Sequence, residues 1–145
     1  MNSFEALNAF AKQLERHTGA KIVVTPSAVS EKGTVIKVSL LKTCIQTEPR
    51  GIRASRALRL RVSVAGAAES MTGLKQALDA IEALDRYLAS PNLRLEAENG
   101  AGIPNTRIVQ AISQEDSFID SPDSTAVQDV QDDRFVLITI PEGGD

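Results

Sequence analysis

Apolar residues near the start of the chain recur at helical spacing, with Phe4, Leu7, Phe10, Ala11 and Leu14 on one broad face. Asn2 and Glu5 stand at capping-box spacing ahead of that run and Gly19 is placed to stop it, which predicts a first helix between them. Lys21 to Thr25 then reads as a short strand closed by Pro26. After a polar loop the period becomes two. Thr34 to Leu41 puts Ile36, Val38 and Leu40 on one face, and Ala57 to Ala65 puts Leu58, Leu60, Val62 and Val64 on one face against Arg59, Arg61 and Ser63 on the other. Between these strands the polar segment 48–56 reads as the tip of a long hairpin.

Glu69 to Ala89 carries the strongest helical stripe, formed by Leu74, Ala77, Leu78, Ile81, Leu84 and Leu88, with Pro91 ending it. Leu78 and Ile81 are therefore expected in the core. Asp85 falls inside the same stripe, and an acid there needs a partner, for which Arg107 on a facing strand is the candidate. Further strands are predicted at Leu93 to Ala97 and Thr106 to Ile112, separated by a Gly- and Pro-containing loop, and at Phe135 to Ile140, whose two faces are both largely apolar as in a central strand. The order α, β, β-hairpin, α, β, β, β predicts one α+β domain over 1–145. Its mainly antiparallel sheet would carry two helices packed on one face and a long projecting β-hairpin. Residues 142–145 are expected to be loose.

Composition removes several function classes. Only 3% of the 145 residues are aromatic, too few for a platform of stacked bases or sugars. One Cys and one His exclude a disulfide framework and a four-ligand Cys/His metal site, and suit a reducing interior. No window is apolar for long enough to span a bilayer, and the first residues have no signal-peptide character, so a cytoplasmic protein without a membrane role is expected.

Charge adds more. The net charge of -3 conceals eleven Lys and Arg against four acids in residues 1–61, and five against fifteen in residues 62–145. The basic arm, about 42–61, holds Lys42, Arg50, Arg53, Arg56, Arg59 and Arg61 against Glu48 alone. Arg favours forked contacts with carboxylate or phosphate, so three readings stand: a DNA backbone, an acidic protein partner, or a solvated face. The loop of about 115–133 holds Glu115, Asp116, Asp120, Asp123, Asp129, Asp132 and Asp133 without one Lys or Arg. It lacks the mid-loop Gly and closing Glu of a calcium loop and reads as a solvated or partner-facing surface. The arginines of the arm, with Asp129, Asp132 and Asp133, are the candidate interface residues.

Catalytic patterns are sparse. Cys44 and His17 are the only potential thiol and base, with Cys44 in a strand-like run, where a small buried hydrophobe is the ordinary outcome, and His17 at a helix C-terminus. Glu96 and Glu98 share a strand face but have no neighbour placed to separate their pKa values. Gly100 and Gly102 mark a turn rather than a phosphate loop. No metal, cofactor or catalytic residue is expected.

The runs Leu58 to Gly66, Leu74 to Leu88 and Arg134 to Ile140, in that order and with those patterns, resemble the tail-terminator proteins of tailed bacteriophages and prophages over about residues 57–141. The resemblance implies an α+β subunit with a long hairpin that assembles as a homo-oligomeric ring, usually of six. Such a ring caps the tail tube and joins it to head-completion proteins, with DNA passing through the lumen, in the virion tail after assembly in the host cytoplasm. A nucleic-acid-binding domain using the Arg arm and a small hydrolase are the alternatives from other classes.

Overall fold

The computed structural model describes residues 1–25, 33–47, 54–67, 70–111 and 129–141. Helix α1, Ser3–Thr18, begins at a full capping box: Asn2 Oδ1 accepts from the Glu5 amide at 2.8 Å, and Glu5 Oε1 accepts from the Asn2 amide at 2.8 Å. It ends where Gly19 turns left-handed, at φ 71°, and donates its amide to Glu15 O at 2.9 Å. The chain then forms β1 (Lys21–Val24), β2 (Val35–Thr47), β3 (Ala54–Ala67), α2 (Met71–Leu88), β4 (Arg107–Ala111) and β5 (Asp129–Pro141).

The five strands form one sheet in the order β1-β2-β3-β5-β4. Only β1 and β2 pair in parallel, and the other three pairings are antiparallel. The expected α+β architecture is therefore present, with one difference in count. The segment Leu93 to Ala97 adds no strand to the sheet and makes only an isolated bridge, Glu96 with Gly102. Leu95 is nevertheless fully buried, fixed by its amide, which donates to Thr106 Oγ1 at 3.1 Å, and by its carbonyl, which accepts from Ile103 N at 2.7 Å.

Both helices lie on one face of the sheet. Leu58, Leu60, Val62 and Val64 of β3 point into that layer, beside Ile36 and Val38 of β2 and Val136, Ile138 and Ile140 of β5. Helix α1 contributes Ala6, Leu7, Phe10 and Leu14, and α2 contributes Ala80, Leu84, Tyr87 and Leu88. Gly66 leaves room for Thr34 just before β2: a Cβ there would stand 2.8 Å from Thr34 Oγ1, and at an ordinary contact distance of 3.5 Å from Ala77 Cβ of α2.

The cores of the two helices depart from the sequence pattern at single residues. Phe4 is 72% exposed, because the first turn of α1 extends past the residues that bury Leu7 and Phe10. In α2 the buried arc is Ala77, Ala80, Leu84, Tyr87 and Leu88, which leaves Leu78 45% exposed and Ile81 only partly buried. The helix seats on its small alanines, and that rolls Leu78 outward.

A stability contrast follows. Leu84→Ala should lower stability by about 2–5 kcal/mol, the range for emptying a packed site, whereas Leu78→Ala should cost less than about 0.5 kcal/mol as a surface change. Chemical denaturation of the two variants beside the parent checks this, and equal losses would contradict the helix orientation.

Candidate interaction surface

The face of the sheet that carries no helix is built by the alternate residues of the core strands. Cross-strand registers set its rows: Cys44, Ala57, Thr139 and Arg107 in one; Lys42, Arg59, Leu137 and Val109 in the next; then Arg61 beside Phe135; then Lys37, Ser63 and Asp133. Lys37, Lys42, Arg59, Arg61 and Arg107 are all exposed on this face, while Phe135, Leu137 and Val109 are half-buried between them. The Arg61 guanidinium stands 6.0 Å from the centroid of the Phe135 ring, within cation–π range. Among the described residues, none of these five cations has an ion pair.

Lys42 and Arg59 sit directly opposite one another, an arrangement of like charges that weakens a strand pair. A β-bulge between Leu40 and Lys42 produces it. By inserting Leu41 the bulge moves Lys42 from the helix side, where strict alternation would put it, to the side of Arg59.

The sequence-predicted interface residues are not one patch. Arg59 and Arg61 lie within β3, paired on both sides, and face away from the helices as their alternation predicts. Arg56 belongs to the opposite face, where its Nη1 donates to Thr43 Oγ1 at 2.9 Å. Arg50 and Arg53 lie outside the described residues, as do residues 115–128 of the acidic loop and residues 142–145. Asp129 opens β5, opposite Ala67, at the far end of the sheet from Ala54. Asp133 accepts from Ser63 Oγ at 2.6 Å, and Asp132 is engaged by Arg134 Nη1 at 2.7 Å on the helix side.

Asp85 does have an arginine partner on the sheet, but it is Arg134 and not Arg107. Arg134 Nε and Nη2 donate to the two Asp85 oxygens at 2.8 and 3.1 Å. That fork ties α2 to β5 and, with Asp132, pushes the guanidinium further toward its charged form despite partial burial. Arg107 faces the opposite way.

A second cluster was hidden in the sequence because its members are some eighty positions apart. Gln13 is fully buried in α1; its Nε2 donates to Tyr87 Oη and, at 2.8 Å, to Arg94 O, and its Oε1 accepts from Glu96 N at 3.0 Å. Burial pushes the Tyr87 hydroxyl up to about 12, with the Gln13 hydrogen bond acting the other way. His17 stacks on Tyr87 with ring centroids 4.8 Å apart. Its Nε2 lies 3.0 Å from Glu96 Oε2, while Arg16 Nη2 donates to Glu96 Oε1 at 2.8 Å. Burial by itself would raise the Glu96 carboxyl, but Arg16 and His17 outweigh it and hold the group below its ordinary value.

This arrangement fixes the 93–106 segment to α1 and leaves the suggested catalytic pairs apart. Glu96 is satisfied by Arg16 and His17, whereas Glu98 is exposed, 4.0 Å from Lys12. Cys44 is exposed on β2, contrary to the buried position expected of a lone cysteine, and is on the helix-free side away from His17. Among the described residues no three His, Cys, Asp or Glu side chains converge to hold a metal ion, and no helix is long and apolar enough to cross a membrane.

The sign of the Glu96 shift fixes a pH dependence. A carboxyl lowered on folding contributes stability above its unfolded value, near 4.5, and loses that contribution as pH falls through the folded value. Glu96→Gln should therefore melt below the parent at pH 7 and approach it as pH drops below about 4.5. Thermal scans of both proteins from pH 7 to pH 3 measure the gap, and a constant gap would refute the assignment.

Comparison with protein-family models finds no match for this chain, and comparison with curated protein sequences finds none either.

Proposed function

We propose that the chain is a structural subunit that assembles with copies of itself into a ring through oppositely charged surfaces, as a tail terminator of a bacteriophage or prophage. The observation that carries the assembly reading is the helix-free face, with five exposed cations, no ion pair among them, and Lys42 held against Arg59. Such a face gains by meeting carboxylates. The chain's acid-rich stretch enters β5 at Asp129, and β3 from Ala54 to Ala67 spans roughly 40 Å, so basic and acidic regions are offset along the sheet. Surfaces offset in this way suit head-to-tail contacts between copies, which form a ring when the rotation closes.

The more specific part of the proposal rests on the order and patterning of β3, α2 and β5, which is the order of the runs that resemble tail terminators. In that reading the partners are the tail-tube and head-completion proteins, the place is the virion tail, and no cofactor is needed. The rival reading takes the same face as a phosphate-binding surface, because its cations are carried by β2, β3 and β4 across the width of the sheet, as a nucleic-acid backbone would require.

Two variants separate these readings. Lys42→Glu puts opposite charges across the β2–β3 pair and should stabilise the isolated subunit by about 0.2–1 kcal/mol while weakening its assembly. Arg59→Glu with Arg61→Glu should block assembly and leave the fold intact, since both side chains are exposed. Melting curves, mass photometry across concentration, and cryo-EM on tail tubes report the outcomes. Unchanged rings together with lost, steeply salt-dependent DNA affinity would replace the assembly reading with the nucleic-acid one.

A further inference from the structure

We propose that neighbouring copies join by continuing the sheet: the outer edge of β2, Leu40–Thr47, pairs with the acidic start of β5, Asp129–Asp133, of a second copy. The inference rests on the assembly reading above and supplies its joint.

Three observations support it. First, β1 pairs with β2 only from Val35 to Val38, and the last described contacts on that side come from Thr25, whose amide donates to Val38 O at 2.9 Å and whose Oγ1 donates to Ser39 Oγ at 2.7 Å. Beyond them, among the described residues, the outer edge of β2 has no strand partner. Every residue from Leu40 to Gln46 is exposed, on both faces of the strand, so among the described residues no helix covers this half of β2 and β3 is its one strand neighbour. Second, Leu40, Leu41 and Ile45 are 39, 41 and 54% exposed along this one edge. Proteins ordinarily blunt open edges with proline, inward-pointing charges or bulges. Here the bulge lies at the inner end, Lys42 is the one charge, and from Lys42 to Thr47 the ladder to β3 is regular and free of proline.

Third, the chain carries a complementary edge. Strand β4 pairs with β5 only from Phe135 to Thr139, so among the described residues the start of β5 has β3 on one side and no strand on the other. That start bears Asp129, Asp132 and Asp133, against Lys42 and Arg59 beside the β2 edge. The two edges are on opposite sides of the sheet and toward its opposite ends. Both β2 and β5 run antiparallel to β3, hence in the same sense as each other, so copies repeated head to tail would form a parallel ladder. Self-pairing of two β2 edges would instead set their cations together and stop at a dimer.

The sole cysteine lies in the middle of this edge and serves as the probe. In Asp129→Cys, a short bis-maleimide should link Cys44 of one copy to position 129 of the next and give a ladder of dimer, trimer and higher species. Cys44→Ser in that background should abolish it, and the parent should give none. Ile45→Lys, at an exposed position, should raise the concentration of half-assembly at least about tenfold with an unchanged melting temperature. Linked dimers in the parent would overturn the proposal in favour of β2-to-β2 pairing. Assembly by mass photometry without a ladder, or insensitive to Ile45→Lys, would overturn the joint while leaving the assembly reading standing. No assembly of the parent at any concentration would overturn both.

Discussion

Strict two-residue alternation in β3 is the constraint on which the rest of this molecule depends. Leu58, Leu60, Val62 and Val64 must face the helices, because these four side chains make the floor of the layer that α1 and α2 cover. That choice leaves Arg59 and Arg61 no option but the other face. With β2 and β5 paired along both sides of β3 and β4 beyond β5, the same parity propagates through the sheet and collects Lys37, Arg107 and Phe135 beside the arginines, while the bulge adds Lys42. Core and cationic surface are thus two sides of one pattern, and neither can be shifted by a residue without destroying the other.

The helical layer is secured by polar contacts at places where packing alone would leave it free to slide. The fork between Arg134 and Asp85 fixes α2 along β5, while Gln13 connects α1 to Tyr87 of α2 and to the backbone of Arg94 and Glu96. A buried amide with one partner missing costs about 1–3 kcal/mol, so Gln13 favours a single arrangement of helix, helix and loop over near alternatives. Among the described residues no buried side-chain nitrogen or oxygen lacks a partner, as this role requires.

How much of this was legible in the sequence depends on the range of the interaction concerned. The α1 caps act within three or four residues and could be read from Asn2, Glu5 and Gly19 alone. The central strands were equally plain, since alternation is local. Helix phase was not: apolar content centred the α2 stripe nearer Leu78, but the helix seats on Ala77 and Ala80 and the buried arc shifts toward Leu84, leaving Asp85 at its margin with a half-exposed side chain. The need of Asp85 for an arginine followed from chemistry, whereas choosing Arg134 over Arg107 required knowing which strand parity faces the helices. The Gln13 cluster had no local signal at all. For the charged residues, local alternation already put Arg59 and Arg61 on the face opposite Leu58, whereas only register could place Arg56 beside Thr43 on the helix side and gather Lys37, Lys42 and Arg107 next to the two arginines.

The β-bulge at Leu40 gives the β2–β3 pair a reading frame. Loss of Leu41 would remove the extra residue and leave Lys42 still opposite Arg59, with every position to Thr47 facing as before. Loss of any single residue between Lys42 and Thr47 would do the reverse for the part beyond it, turning side chains of the helix-side set to the cationic side and the others inward. Length variation in this arm should therefore be tolerated at one position and, elsewhere, only in steps of two, much as codons tolerate insertion only in threes.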